Sequence, residues 1–173
     1  MNKGTFVMHP ATYWIEKLRL EKHPEGGFFR ETYRSAAKID KCCLGNSFDD
    51  LRSVSTAIFF LLRGSEFSAF HKIKSDEIWH HYTGVSLTIH VIDQSGKYVK
   101  FVLGKNVAIG ENLQVIIPAG SWLGATVNDP GSYALVGCTV SPGFDFHDFI
   151  IGQRDELINL FPSHKQVIKM LSF

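Results

Sequence analysis

Residues 64–84, GSEFSAFHKIKSDEIWHHYTG, place His71, Glu77, His80 and His81 within eleven positions, framed by two glycines. SAFHKI and EIWHHY within it read as two short strands, since aromatic and branched residues alternate with polar ones. Imidazoles and a carboxylate so close together mark either a metal site or the surviving frame of one. Outward from this stretch, Gly26 to Phe149 is a succession of similar runs: FFRETY, STAIFFLL, SLTIHVI, YVKFVLG, LQVIIP and SYALVGCTVS, divided by turn residues. Seven or eight strands at that spacing predict an all-β sandwich or barrel.

Helical periodicity is confined to the two ends. Between Pro10 and Leu20, Ala11, Trp14, Ile15 and Leu18 follow the i, i+3, i+4, i+7 pattern of a short amphipathic helix, with proline in its first turn. Near the C-terminus, Ser163 and Gln166 read as a capping-box pair ahead of Val167, Ile168 and Leu171, after a short helix closed by Pro162. This tail is expected to cover an edge or an opening. Lys38 to Asp50, polar and containing Cys42, Cys43 and Gly45-Asn46, reads as a mobile loop. AIFFLL does not alternate and should be covered on both faces, by the core or by a subunit interface.

The 173 residues suit one domain. With 18 Lys plus Arg against 17 Asp plus Glu, there is no basic field to hold nucleic acid. The N-terminal MNKGTFVMHP lacks the apolar core of a signal peptide, and the apolar run from Ala57 to Leu62 is too short to span a bilayer. A cytoplasmic protein without nucleic-acid or membrane partners is expected. Its three cysteines, Cys42, Cys43 and Cys138, lack metal-ligand spacing and read as thiols.

From His71 onward the chain resembles the cupin superfamily. In the first motif of that superfamily a strand carries His-x-His, and a Glu opens the next strand seven residues before a glycine, as Glu77 stands to Gly84. Six residues rather than the usual five separate Gly64 from His71. Pro118-Ala-Gly120-Ser-Trp-Leu123 is similar to the second motif, Pro-x-Gly-x-x-His, with Leu123 in place of the histidine. HPEGGFFRETYRS, SAFHKIKSDEIWHHYTG and LVGCTVSPGFDFHDF together resemble, over nearly the whole chain, a cupin family labelled as of unknown function. The resemblance implies a single cupin-like domain over residues 1–173: a double-stranded β-helix, or jelly roll, with a short N-terminal helix and C-terminal helices, usually dimeric.

Metal-binding cupins use three His and one Glu, and here Ile73 and Leu123 stand at the second and fourth ligand positions. His71 and Glu77 alone make a weak site, since zinc-like ions want four donors. His80 alternates away from Glu77. His81 shares its face, but four residues of strand carry its Cα roughly 13 Å along. His90 falls opposite Glu77 if Thr83-Gly84 is a two-residue hairpin turn, and opposite Trp79 if the turn is Gly84-Val85; a one-residue slip turns it outward. His71, Glu77 and His90 are therefore the ligand set if a metal binds; otherwise no cofactor is expected.

Without metal, His71, Glu77, His90 and Trp79 line a pocket whose other walls are Ile73, Leu123 and Ala125, with His81 toward its end. Such a pocket fits a small-molecule ligand. Burial raises a carboxyl pKa and lowers those of imidazoles, which suits acid–base work near neutral pH. Metal-free dehydrorhamnose epimerases among the cupins make isomerisation or epimerisation of a sugar or nucleotide-sugar the activity implied. A non-catalytic binding or sensing cupin and a metal-dependent enzyme are the alternatives.

Arg30 either grips an anionic ligand group or pairs outward with an acid. His23-Pro-Glu-Gly-Gly27 is a lip over the pocket or a plain turn. Asp145 and His147 form either a second proton carrier or a surface pair, with Asp148 on the other face. Lys72 and Lys74 are expected to point outward, and His9, His23 and His164 receive no role. A homodimer paired through edge strands is expected.

Overall fold

Side-chain alternation along the strands sorts the chain into two antiparallel sheets that face each other across an apolar interior. The computed structural model describes residues 9–45 and 48–173, so Asn46 of the expected mobile loop lies outside the described residues. In chain order the elements are α1 (Ala11–Lys17), β1 (Glu21–Lys22), β2 (Phe28–Arg34), β3 (Lys38–Ile39), α2 (Lys41–Leu44), β4 (Arg52–Ser53), β5 (Thr56–Arg63), β6 (Phe67–Lys72) and β7 (Asp76–Gly84). They continue with β8 (Leu87–Ile92), β9 (Tyr98–Leu103), β10 (Gln114–Ile117), β11 (Trp122–Val127), β12 (Tyr133–Ser141), β13 (Ile150–Ile151), α3 (Arg154–Leu160) and α4 (Lys165–Met170). One sheet has the order β1-β2-β5-β12-β7-β10, the other β13-β6-β11-β8-β9, and β3 and β4 form a separate pair. The expected jelly roll with terminal helices is present, and all eight runs read as strands are strands. β11 and the two-residue strands are additional, and the Lys38–Asp50 segment carries β3 and α2 rather than loop alone.

The two sheets close over Phe60, Leu62, Trp79, Ile89, Val91, Leu123 and Ala125. The β5 strand is covered on both sides, as its lack of alternation requires: Phe60 and Leu62 face this core, while Leu61 packs under α1 with Leu135 and Leu20. Trp14, Ile15 and Leu18 supply the helical side of that contact. The C-terminal helices cover the outer face of the five-stranded sheet through Leu157, Ile168 and Leu171, packed on Phe70, Ile92 and Trp122. The expected capping box does not form: Pro162–His164 is a 3₁₀ turn, the residue preceding α4 is His164, and that end has no side-chain cap.

β7 lies in the six-stranded sheet and β8 in the five-stranded one, so the two are not a hairpin. Gly84 adopts φ +90°, and a Cβ there would lie 2.2 Å from the Tyr133 carbonyl oxygen. The chain turns at this point out of the six-stranded sheet and continues as β8 in the other. Glu77 consequently pairs with Val140 and Ile117, and His90 with Gly124 and Lys100.

Candidate functional site

Two glycines set the floor of the site. Gly26 and Gly27 have φ of +112° and +69°, and a Cβ on Gly26 would stand 2.2 Å from the Phe67 carbonyl oxygen. The turn can therefore lie flat on β6, where the Ala69 N–H donates to the Glu25 carbonyl at 2.8 Å. Glu25 is carried into the interior with its side chain against Ser68 and His71. The Ser68 hydroxyl donates to Glu25 Oε1 at 2.7 Å, and Glu25 Oε2 lies 3.2 Å from His71 Nε2 and 3.3 Å from His23 Nδ1.

The tautomer of His71 follows from its partners. Its Nδ1 is 2.8 Å from the Ala69 carbonyl oxygen, which only accepts, so Nδ1 carries the proton. In the neutral ring Nε2 is then an acceptor, and Glu25 completes the contact as a protonated carboxyl. Burial pushes the Glu25 carboxyl up to about 8, against the pull of the Ser68 hydroxyl, consistent with that assignment. Burial lowers His71, opposed by Glu77 and the Ala69 carbonyl. His23 falls to about 3 through burial and the neighbouring His71.

Glu77, on β7, faces the same space. Burial raises its carboxyl to about 7, with His71 opposing and Glu25 adding to the shift. Trp79 Nε1 and the Cys138 thiol favour its anion by proximity, yet Glu77 Oε2 and Trp79 Nε1 both lack a partner with hydrogen-bond geometry. Buried polar groups are ordinarily satisfied, so an orphaned acceptor and an orphaned donor on adjacent inward positions of one strand mark a place for a ligand's oxygen function.

The cavity holding these groups is small, with about 70 Å³ open to the centre of a water molecule. Its aromatic walls are Phe29, Phe60, Phe144, Phe146 and Phe149, and Ile73 and Cys138 also line it. At its mouth Arg34 meets Glu31 fork to fork, with Nε at 2.9 Å and Nη2 at 2.6 Å from the two carboxylate oxygens, while Nη1 donates to the Phe144 carbonyl at 3.1 Å.

Several expected residues stand elsewhere. His90 is on the outer face of the five-stranded sheet, bonded to the Tyr98 hydroxyl at 2.7 Å and Thr126 Oγ1 at 3.2 Å, because β8 belongs to the other sheet and its inward positions are Ile89 and Val91. Arg30 lies over the Phe59 ring on the outside of the six-stranded sheet; Phe29 and Glu31 are the inward positions of β2. His81 binds the Val85 carbonyl at 3.2 Å, beside a bulge in the β12–β7 pairing, and is not in the cavity wall. Leu123 and Ala125 belong to the core between the sheets, Leu123 directly paired with His71 on the neighbouring strand. Ile73 and Trp79 line the cavity as expected.

The segment GFDFHDF is a 3₁₀ turn rather than a strand end. Asp145 and His147 form an exposed surface pair at 2.7 Å, whereas Asp148 is buried in a bidentate ion pair with Arg52, at 2.6 and 2.8 Å. Lys72 lies over the Trp122 ring, and Lys74 reaches Asp49 and Asp148. Of the two readings of His23–Gly27, the lip is the one found, since His23 and Glu25 line the cavity; sequence reasoning gave neither of these side chains a role and missed Glu31 and Arg34. The signal for Glu25 was the Gly-Gly pair after it; the signal for Arg34 was nothing more than its place at the end of β2, past a bulge between Glu31 and Tyr33 that shifts the alternation.

Among the described residues no group of three or more His, Cys, Asp or Glu is placed to hold a metal ion. Ile73 and Leu123 replace two imidazoles, His90 is on another face, and Glu25 occupies Nε2 of His71, so the residues present do not fit the four-donor cupin centre.

The chain is 30% identical to the uncharacterized protein YML079W of Saccharomyces cerevisiae over 172 residues, covering 87% of this chain and 80% of that protein. The crystal structure of protein SO0799 from Shewanella oneidensis superposes with a TM-score of 0.86 at 39% identity, over 96% of this chain and 99% of that one. A hypothetical protein from Leishmania major gives 0.86 at 35% identity, over 95% and 99%. Residues 12–151 match the family model described as Cupin superfamily (DUF985), and the chain belongs to that family.

Proposed function

We propose that this cupin is a small-molecule enzyme that moves a proton next to a carbonyl group, an isomerase or epimerase working by acid–base catalysis, with sugars and nucleotide-linked sugars the first compounds to examine. The observation carrying this reading is that two buried carboxyls, Glu25 and Glu77, line one cavity together with His71, where burial raises both of them. Groups held near neutral pH by burial are suited to give and take protons. In its anionic form Glu77 takes the proton from the carbon beside the carbonyl, and the C–H electron pair moves to form the enolate. The Trp79 indole N–H donates to the enolate oxygen. In a 2-hydroxy carbonyl compound the proton of the neighbouring hydroxyl passes to the enolate oxygen, and Glu77, now a carboxylic acid, returns its proton to the former carbonyl carbon, so that the carbonyl moves to the neighbouring position. Glu25 and His71 act through Glu77: the Glu25 proton keeps His71 neutral and so holds the Glu77 carboxyl near neutrality.

Solvent deuterium uptake by phosphorylated and nucleotide-linked sugars tests the reading. Uptake should rise with pH through about 7, as Glu77 ionises, and Glu77→Gln should reduce it by at least about 100-fold. Uptake that persists in that variant overturns the assignment, and binding without uptake leaves a non-catalytic binding protein. A stoichiometric transition metal in protein purified without chelator, lost in His71→Ala, overturns the metal-free reading.

Two further expectations remain part of this proposal. A second copy is proposed to cover the outer face of the six-stranded sheet, where Tyr33, Tyr82 and Ile116 are 54%, 52% and 60% exposed. A cytoplasmic location is proposed from the exposed free thiols of Cys42 and Cys43, which fit a reducing compartment. Among the described residues no helix is long and apolar enough to cross a membrane.

A further inference from the structure

Arg34 and Glu77 lie on one transverse row of the six-stranded sheet. Arg34 pairs with Thr56, Thr56 with Val140 and Val140 with Glu77, and all four line the cavity. Three strand spacings separate the ends of this row, roughly 14 Å between backbones. A guanidinium reaching inward from one end and a carboxyl from the other leave a gap the size of one small molecule. One strand position along, Glu31, Ile58, Cys138 and Trp79 form a parallel row that also lines the cavity.

The chemistry of the two ends differs. At the inner end Glu77 Oε2 and Trp79 Nε1 are buried and unpartnered, one an acceptor and the other a donor. Between the ends the walls are largely aromatic. At the outer end Arg34 is, among the described residues, the only Lys or Arg in the cavity wall, and its fork is already filled by a carboxylate, that of Glu31, in the geometry with which guanidinium recognises carboxylate or phosphate. The side chains of this pair are 38% and 39% exposed, so solvent screens their attraction and exchanging one anion for another costs little. The Phe144 carbonyl holds Nη1 and keeps the guanidinium in place when Glu31 leaves.

We infer that the substrate is a small organic anion: its carboxylate or phosphate displaces Glu31 from the Arg34 fork, its body lies along the phenyl walls, and at its far end a carbonyl or hydroxyl oxygen accepts from the Trp79 Nε1 N–H while a hydroxyl donates to Glu77 Oε2. Arg34 is a specificity residue and Glu31 is a built-in competitor that occupies the anion site of the empty pocket. This rests on the reading of the cavity as a substrate site and adds the class of molecule it accepts.

Binding of benzoate, phenyl phosphate and neutral benzyl alcohol to the full chain, followed by titration calorimetry, tests the inference without requiring turnover. At least one anion should bind more tightly than benzyl alcohol, and the comparison of the two anions tells a carboxylate site from a phosphate site. Arg34→Ala should weaken the favoured anion by about 10-fold or more and leave benzyl alcohol within about 2-fold, whereas Glu31→Gln should tighten the anion by about 3- to 10-fold. If Arg34→Ala does not fold, Arg34→Lys, which keeps the charge and loses the fork, should still weaken the anion. The inference is overturned if neither anion outbinds benzyl alcohol, or if the Arg34 and Glu31 variants leave anion affinity unchanged. Arg34-dependent binding without deuterium uptake preserves this inference and removes the catalytic reading; uptake indifferent to Arg34 does the reverse.

Discussion

Glu25 ties pH to stability with a definite sign. Its folded carboxyl titrates at about 8 against an unfolded value of 4.5, so between those values the folded chain holds a proton the unfolded chain has released, and stability falls as pH rises. Glu77, at about 7, adds to that fall. His23, at about 3 against 6.5, acts in the opposite sense: the unfolded imidazole is charged where the folded one is not, and stability is lost as pH drops below about 6.5. His90, lowered by burial to about 4, acts in the same sense as His23, so between roughly pH 4.5 and 6.5 two carboxyls oppose two imidazoles and the net pH dependence is weak. Glu25→Gln keeps a donor toward His71 and an acceptor for Ser68 and removes the ionisation. Its melting temperature should match the wild type near pH 5 and exceed it at pH 9 by roughly 5–10 °C, on the order of 3 kcal/mol, measured by calorimetry. His71, Glu77, Ile73 and Trp79 were legible because alternation along a strand fixes which side chains point inward. Glu25 was not, since a turn has no such period and the glycines that press it onto β6 act through a contact remote in sequence.

Two elements sensitive to single changes are the crossing at Gly84 and residues 142–149, which form a lip of the cavity. Alanine at Gly84 needs an unfavourable positive φ and collides with the Tyr133 carbonyl, so Gly84→Ala should lower stability by about 2 kcal/mol or more in denaturant titration. The lip carries Phe144, Phe146 and Phe149 to the cavity and is anchored by Asp148, 3% exposed, on Arg52, 5% exposed. Removing one partner of such a pair strands the other, and Asp148→Ala should cost about 3–5 kcal/mol by the same measurement. Eight strands could be read from apolar runs, and α1 from its stripe, whereas β11 was missed. The partner of each strand could not: a hairpin between β7 and β8 and a crossing between sheets have the same local sequence, and the difference moved His90 from the interior to the outer surface. β13 and the other two-residue strands are too short to carry a period at all.

At the level of the whole molecule, the six-stranded sheet has α1 over part of its outer face and leaves Tyr33, Tyr82 and Ile116 exposed on the rest. Sedimentation velocity should give twice the chain mass for the wild type and the single chain mass for a Tyr82→Arg, Ile116→Arg double variant. The sequence resemblance supplied the jelly roll, because the motif glycines and the Glu77-to-Gly84 spacing are features of backbone path. It did not supply the ligand chemistry, which depends on side chains contributed by β2, the turn before it and the lip. Of the three tryptophans, Trp14 is on the inner face of α1 and Trp122 under the C-terminal helices, and Trp79 alone borders the cavity. The protein therefore contains its own optical gauge: with Trp14 and Trp122 changed to phenylalanine, the remaining fluorescence comes from the indole at the cavity wall, and whatever enters there registers in its colour and brightness without a label.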